Sequence, residues 1–375
     1  MISRRNFCAA SAASTWTFKT STAQAAASEP RAKTSAYVAQ LFDTSMSQQD
    51  VSRDFMIGSR CAWQEMQQSN KTHLNVRHRP LEVNGNAQQL ESTLSSLIED
   101  PNCIALSGTV GQGTARWVAQ ALERQTQGPG RLIQVAPWLH DLKPSSTSIR
   151  AFASFEVQIG HALKTLSVVG LKEVGVVFAN LQEQSLYDPV LKRLSQQHQL
   201  QVRVYVAHQG YYQLGLDLPM DAPPVLLFMS GTPELAQFSK AAGKSNRHRY
   251  AIGMADINSQ TLTQMGLGRN VPVVITQVVP VVNSALPVIR EYRQALGKYF
   301  DEPPSALSLS GYISARVTQK LLSQSGAHTR SQVAALASSR WSMDMGGYDI
   351  ESDGQSLHKA YVTQSMVASD GRLIG

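Results

Sequence analysis

Few side chains in this 375-residue sequence are spaced for covalent or metal chemistry. Its nine histidines form no H-x-x-x-H or similar ligand spacing, no G-x-S-x-G elbow presents a nucleophile, and neighbours such as His140-Asp141 are incidental. Catalysis, a resident metal and a cofactor are therefore not expected. What the sequence offers instead is a place to hold an anion, in Cys103 to Leu122. A strand pattern, Ile104 to Ser107, enters a loop carrying Gly108, Gly111 and Gly113, and Thr114 leads into a helix whose Ala115, Val118, Ala119 and Leu122 share a face. Glycines let backbone N–H groups approach a ligand, and the first turn of a helix has free donors and a positive dipole end. The G-x-x-G-x-G spacing, with no acidic residue closing the next strand at Arg131 to Ala136, sets this loop apart from a dinucleotide fingerprint. A glycine turn that merely connects strand to helix is the plain alternative. Trp138 and His140 follow that next strand. Trp138 can stack on a ligand or pack as core, and His140 can line a cleft or sit on a surface loop.

The elements that must position these residues alternate. Strand patterns at Ala36 to Leu41 and Thr72 to Arg77 and the Cys103 strand are separated by helical patterns at Val51 to Ser69 and around Leu90, Leu94 and Leu97. A second run begins with the helix Phe155 to Val168. It continues through strands at Glu173 to Ala179, Gln201 to Val206, Val225 to Ser230, Tyr250 to Met254 and Val273 to Val278, with helices between most of them. Gly210-Tyr211-Tyr212-Gln213 and a proline-rich connection stand where one helix is due. Alternation of this kind predicts parallel sheets covered on both faces. Two runs predict two doubly wound α/β lobes: 34–153 with 282–340, and 154–281 with 341–375. The helical segments after Pro287 are expected back on the first lobe, because the second sheet is already covered.

Composition narrows the class further. An apolar fraction of 42% suits a folded protein with a large core, and no run of 18 apolar residues offers a membrane span. Ser3-Arg4-Arg5-Asn6-Phe7 fits the twin-arginine export pattern, and Ala23-Gln24-Ala25 fits a cleavage site, so residues 1–25 read as a signal peptide and the periplasm as the destination. The net charge of +7 includes Arg4, Arg5 and Lys19, and the remaining basic residues are scattered, so nucleic acid is not an expected partner. Cys61 and Cys103 remain after cleavage, either as one disulfide or as two buried thiols.

The sequence resembles the branched-chain amino-acid-binding family, the type I periplasmic solute-binding proteins of ABC transporters. The residues that carry the likeness are Thr276 to Pro280, Pro287 to Tyr292, Ser305 to Val317, Met345 to Tyr348, Ser369 to Arg372 and the loop Gly108 to Gly111 with Thr114. The resemblance implies two Rossmann-like lobes joined by a three-segment hinge. It also implies a monomer that captures a small solute, an amino acid or a related polar or aromatic compound, between the lobes and delivers it to an inner-membrane permease. The site it implies comprises Gly111, Gln112, Thr114, Trp138, Leu139 and His140 on one lobe, and Phe155, Glu183, Met254, Ala255 and Asp256 on the other. Gln112, Trp138 to His140 and Asn180 to Gln184 depart from the usual residues of the family. A sensor or scaffold that uses the same fold to meet a membrane partner is the alternative expectation.

Overall fold

The computed structural model describes residues 36–68, 75–124, 130–140, 145–245, 247–266, 271–326, 328–353 and 357–375. The expected signal peptide, the first half of the expected strand at 72–77 and Asp141 lie outside these residues. The first run comprises β1 (Tyr37–Asp43), α1 (Gln49–Gln68), β2 (Arg77–Val83), α2 (Ala87–Glu99), β3 (Cys103–Ser107), α3 (Gln112–Glu123), β4 (Gln134–Val135) and β5 (Ser148–Ile149). The second begins with α4 (Phe155–Val168), β6 (Glu173–Phe178), α5 (Leu181–Gln197), β7 (Gln201–Val206), α6 (Tyr211–Leu216) and β8 (Val225–Phe228). It ends with α7 (Thr232–Ala242), β9 (Tyr250–Gly253), α8 (Ser259–Met265) and β10 (Val273–Gln277). The chain closes with α9 (Pro287–Tyr299), α10 (Ala306–Ser325), α11 (Arg330–Ala337), β11 (Trp341–Asp344), β12 (Asp349–Ser352), β13 (Thr363–Val367) and β14 (Leu373–Ile374).

The strands form a five-stranded sheet, β2-β1-β3-β4-β5, and a seven-stranded sheet, β14-β13-β10-β9-β8-β6-β7. Both have the doubly wound order in which the first strand sits inside the second, with β13 and β14 added antiparallel at one edge. Each sheet is covered on both faces. In the first, Leu90, Leu94 and Val118 pack on one side, and Phe55, Trp138, Tyr292 and Tyr312 on the other. In the second, α4 and α5 cover one face through Ile159, Leu163 and Leu191, and α7 and α8 cover the other through Leu235, Phe238 and Leu262. The chain crosses between the sheets three times, after β5, after β10 and between β12 and β13.

Three local differences from the sequence reading have physical causes. β2 begins at Arg77 and contains Pro80, which has no N–H for a ladder and is tolerated because β2 is an edge strand paired only with β1. α6 forms where only a loop was read, a six-residue helix started by Gly210 at φ 89°. The hairpin β11–β12 joins neither large sheet, and its Met343 and Ile350, with the turn residues Met345 and Tyr348, sit in the first-lobe core. The segment that the sequence reading gave to the second lobe from 341 onward therefore divides, and only β13 and β14 add to the second sheet. The thiols of Cys61 and Cys103 are both buried and free.

α10 returns to the first sheet and lies against α1 at backbone contact. A Cβ on Gly58 would fall 1.6 Å from the Ser308 carbonyl oxygen, and one on Gly311 would fall 1.8 Å from that of Phe55. Side chains on either helix would push the two apart. Gly58→Ala or Gly311→Ala should cost about 3 kcal/mol, the upper end of overpacking penalties, because the obstacle is backbone. Gly297→Ala, in a helix position with nothing within 4 Å, should gain about 0.5–1 kcal/mol. Urea denaturation of the three variants checks the contrast.

Candidate functional site

The strand ends of both sheets converge on one region. On the first lobe, the loop after β3 is fixed by Asp43 at the end of β1. Gly111 has φ 101°, and a Cβ there would fall 2.5 Å from the Asp43 Cβ, so only glycine fits. The Thr114 hydroxyl donates to Asp43 Oδ2 at 2.7 Å, with Thr114 only 2% exposed. The N-cap of α3 is Gly111, without a side-chain cap bond, so Thr114 acts by tying the glycine loop to β1 rather than as a helix cap. Gln112 turns the other way, and its Oε1 accepts the His140 backbone N–H at 3.1 Å.

After β4 the backbone makes a sharp turn. Ala136 adopts φ 48°, rare for a residue with a Cβ and rarer still before proline, and its carbonyl accepts the Ser314 hydroxyl of α10 at 2.7 Å. The turn sends Trp138 into the contact between the lobes and Leu139 beneath α3, where it packs on Ala115 and Ala119. The Trp138 ring lies 5.6 Å from Phe55, 5.1 Å from Phe152 and 4.4 Å from His140, a wall of tilted and edge-on aromatic contacts. The indole N–H donates to Asp256 Oδ1 of the second lobe at 2.7 Å. His140 Nδ1 lies 2.8 Å from the Ala153 carbonyl, which can only accept, so this nitrogen carries the proton and Nε2 faces Asp256 Oδ1 at 3.7 Å.

Asp256 follows β9, and its side chain is 20% exposed. Burial pushes its carboxyl up, opposed in order by His140, by the indole hydrogen bond and by Arg116 of α3. Its neighbours have other work. Met254 is buried in the second-lobe core, and the Ala255 N–H donates to Gln158 Oε1 at 3.0 Å. Phe155 places its ring 5.2 Å from His140 and 6.2 Å from Tyr187. Glu183 accepts from the Ala179 N–H at the start of α5, and burial pushes its carboxyl up while Arg116 pulls it down.

Of the residues singled out from the sequence, the structure brings Gln112, Trp138, His140, Phe155 and Asp256 together. Gly111 and Thr114 support them through Asp43, while Leu139 and Met254 pack into cores. Three participants were missed. Gln158 is fully buried on α4 and serves both Ala255 and the Thr276 hydroxyl. Asp54 of α1 accepts from Asn258 of the second lobe and from Ser305, the N-cap of α10. Arg116 adds the positive charge. A signal existed for the first two: a carboxylate and an amide each stand on the apolar face of a helix, beside Val51 and Phe55 or Phe155 and Ile159. The void touching Trp138 among the described residues is ≈ 20 Å³, about one water.

Two doubly wound lobes, crossed three times by the chain and meeting through polar and aromatic strand-end residues, define the class of two-lobed binding proteins whose ligand site is the inter-lobe cleft. The model of the periplasmic binding protein family matches residues 80–372, and the chain belongs to that family, in agreement with its resemblance to the branched-chain amino-acid-binding type. A search of curated protein sequences finds no match. Among solved structures, an extracellular ligand-binding receptor from Verminephrobacter eiseniae is similar with TM-score 0.77 and 14% identity, over 91% of this chain and 100% of that one. A leucine-binding protein from Thermotoga maritima gives 0.74 and 15% over 90% and 97%. A solute-binding protein of an ABC transporter from R. palustris, in complex with 4-hydroxybenzoate, gives 0.70 and 17% over 91% and 95%. These likenesses show the fold. The family and these neighbours are binding proteins, generally not enzymes, and the family implies a periplasmic or extracytoplasmic location.

The buried Thr114–Asp43 bond yields a stability prediction. Thr114→Ala should cost about 1.5–3 kcal/mol, the value of a hydrogen bond to a charged group, and Thr114→Ser should recover most of it. Chemical denaturation of both variants measures the difference.

Proposed function

We propose that the protein is the solute-capturing component of an ABC transporter, taking one small solute into the inter-lobe cleft and presenting the closed form to an inner-membrane permease. The observation that carries this reading is the meeting of Trp138 and His140 of the first lobe with Asp256 of the second at the facing strand ends. Hinge closure brings such groups together around a bound molecule. The proposed contact set is Gln112, Trp138, His140, Phe155, Glu183, Ala255 and Asp256, with Gly111, Thr114, Leu139 and Met254 holding the walls. The rings of Trp138, His140 and Phe155 favour a planar or aromatic solute over a purely aliphatic one, in keeping with the 4-hydroxybenzoate held by one neighbour. A monomer suffices for this role, because both walls of the cleft come from one chain.

The burial of Trp138, only 1% exposed, also favours a second reading, a sensor or scaffold of the same fold that meets a membrane partner with its cleft filled by its own side chains. A thermal-shift screen over amino acids, aromatic acids and small amides separates the two. The transport reading predicts at least one compound that raises the melting temperature, and a screen without any favours the scaffold. For the compound found, Gln112→Ala should weaken binding about tenfold to a hundredfold, the loss of one hydrogen bond to a charged group. Unchanged affinity would remove the glycine loop from the site.

Export is proposed by the twin-arginine route, supported by Ser3-Arg4-Arg5-Asn6-Phe7 and Ala23-Gln24-Ala25. Replacing Arg4 and Arg5 together by Lys should leave the precursor in the cytoplasm on fractionation. Undiminished delivery of the mature chain would count against that route.

A further inference from the structure

The groups around Asp256 are those that would recognise a carboxylate of any origin. The indole N–H can only donate, and it points at Asp256 Oδ1 from 2.7 Å. His140 directs Nε2 toward the same oxygen from 3.7 Å, and because Nδ1–H is committed to the Ala153 carbonyl, Nε2 donates there only when the ring is an imidazolium. Arg116 adds positive charge from α3. All three belong to the first-lobe run, whereas the carboxylate comes from the second lobe. First-lobe contacts alone hold the indole and the imidazole: the Trp138 ring packs on Phe55 and Phe152, and His140 Nδ1 is hydrogen-bonded to the Ala153 carbonyl. A rigid donor set whose acceptor arrives only on closure is preorganised for an anion.

We propose that Asp256 is an internal ligand of the cleft: when the lobes close without solute its carboxylate takes the Trp138 Nε1–H beside His140 and Arg116, and an acidic solute binds by displacing it. This deepens the reading of the cleft as a solute site and rests on it. The chemistry is competitive. Two carboxylates cannot share one indole N–H, and placing them side by side adds like-charge repulsion in a poorly hydrated space. A solute acid that takes the indole therefore releases the tie to Asp256, and the solute-bound closure differs from the solute-free one. The hydrogen bond from Asn258 to Asp54 at 3.2 Å is a separate tie between the lobes, which lets them stay close while Asp256 is displaced.

The test removes the internal ligand and supplies a free one. Asp256→Ala should bind acetate about tenfold to a hundredfold more tightly than the unaltered protein, the gain from deleting a competitor that holds one charged hydrogen bond. The readout is thermal stability against acetate concentration, with chloride at matched ionic strength as the control. Small-angle scattering should show Asp256→Ala to be more open than the unaltered protein, and acetate should compact it. Asp256→Asn keeps the size and one acceptor oxygen, should show an intermediate gain, and carries the test if the alanine variant fails to fold. Adding Trp138→Phe to either variant should abolish the gain. Equal acetate binding by the unaltered protein and both Asp256 variants would overturn the proposal, as would a gain that survives Trp138→Phe. Acetate needs no knowledge of the natural solute, so the outcomes separate. Acetate binding through Trp138 with an empty solute screen leaves this site standing and removes the transport reading. A cationic solute with no acetate effect does the reverse.

Discussion

One hydrogen bond, from the Trp138 indole to the Asp256 carboxylate, joins the two lobes at the point where both sheets end. Much of the surrounding structure serves to put its two ends in place. The left-handed turn at Ala136 aims the indole, Ser314 of α10 anchors that turn, and Gly58 and Gly311 let α10 lie close enough to reach it. On the other side, Gln158 holds the backbone of Ala255 and so fixes the loop that carries Asp256. A bond between neutral groups would tolerate looser support. A desolvated carboxylate does not, because each missing donor adds to the cost of keeping it charged.

The electrostatics of the contact region follow from the same constraint. Asp54, Glu183 and Asp256 all have carboxyls pushed up by burial, and Arg116 is the cation that opposes this at the last two. Such groups cost stability at neutral pH, and the cost is relieved as pH falls through their raised folded values toward the unfolded ones. Closing the lobes thus concentrates negative charge that the first lobe only partly balances. A two-lobed binding protein gains from this tension, because a state that is neither fully open nor tightly locked responds to a ligand of modest affinity.

The fold was legible in the sequence wherever burial imposes a period. Strands buried on both faces appear as short apolar runs, and amphipathic helices such as α2 repeat Leu90, Leu94 and Leu97, so the two lobes could be read directly. The site was legible in part. Trp138, His140 and Asp256 follow strands and could be placed at a cleft by topology, but their partnership depends on how two lobes meet, which no local period records. Thr114 could be located at the loop from the sequence but its role could not, because its partner Asp43 is distant in sequence and adjacent only through the pairing of β1 with β3. α6 was hidden because six residues are too few to show a helical period. The hairpin at Trp341 to Ser352 carries a strand pattern that does not say which lobe it covers.

The most direct test of a hinge-closing binding protein is the distance between its lobes in solution. Spin labels at Gln120→Cys on α3 and Lys192→Cys on α5, both exposed positions, report it by pulsed dipolar spectroscopy, while the native thiols of Cys61 and Cys103 stay buried. A hinge-closing receptor predicts a distribution that narrows and shifts when a stabilising solute is added. A single distance that stays unchanged at saturating solute would contradict it.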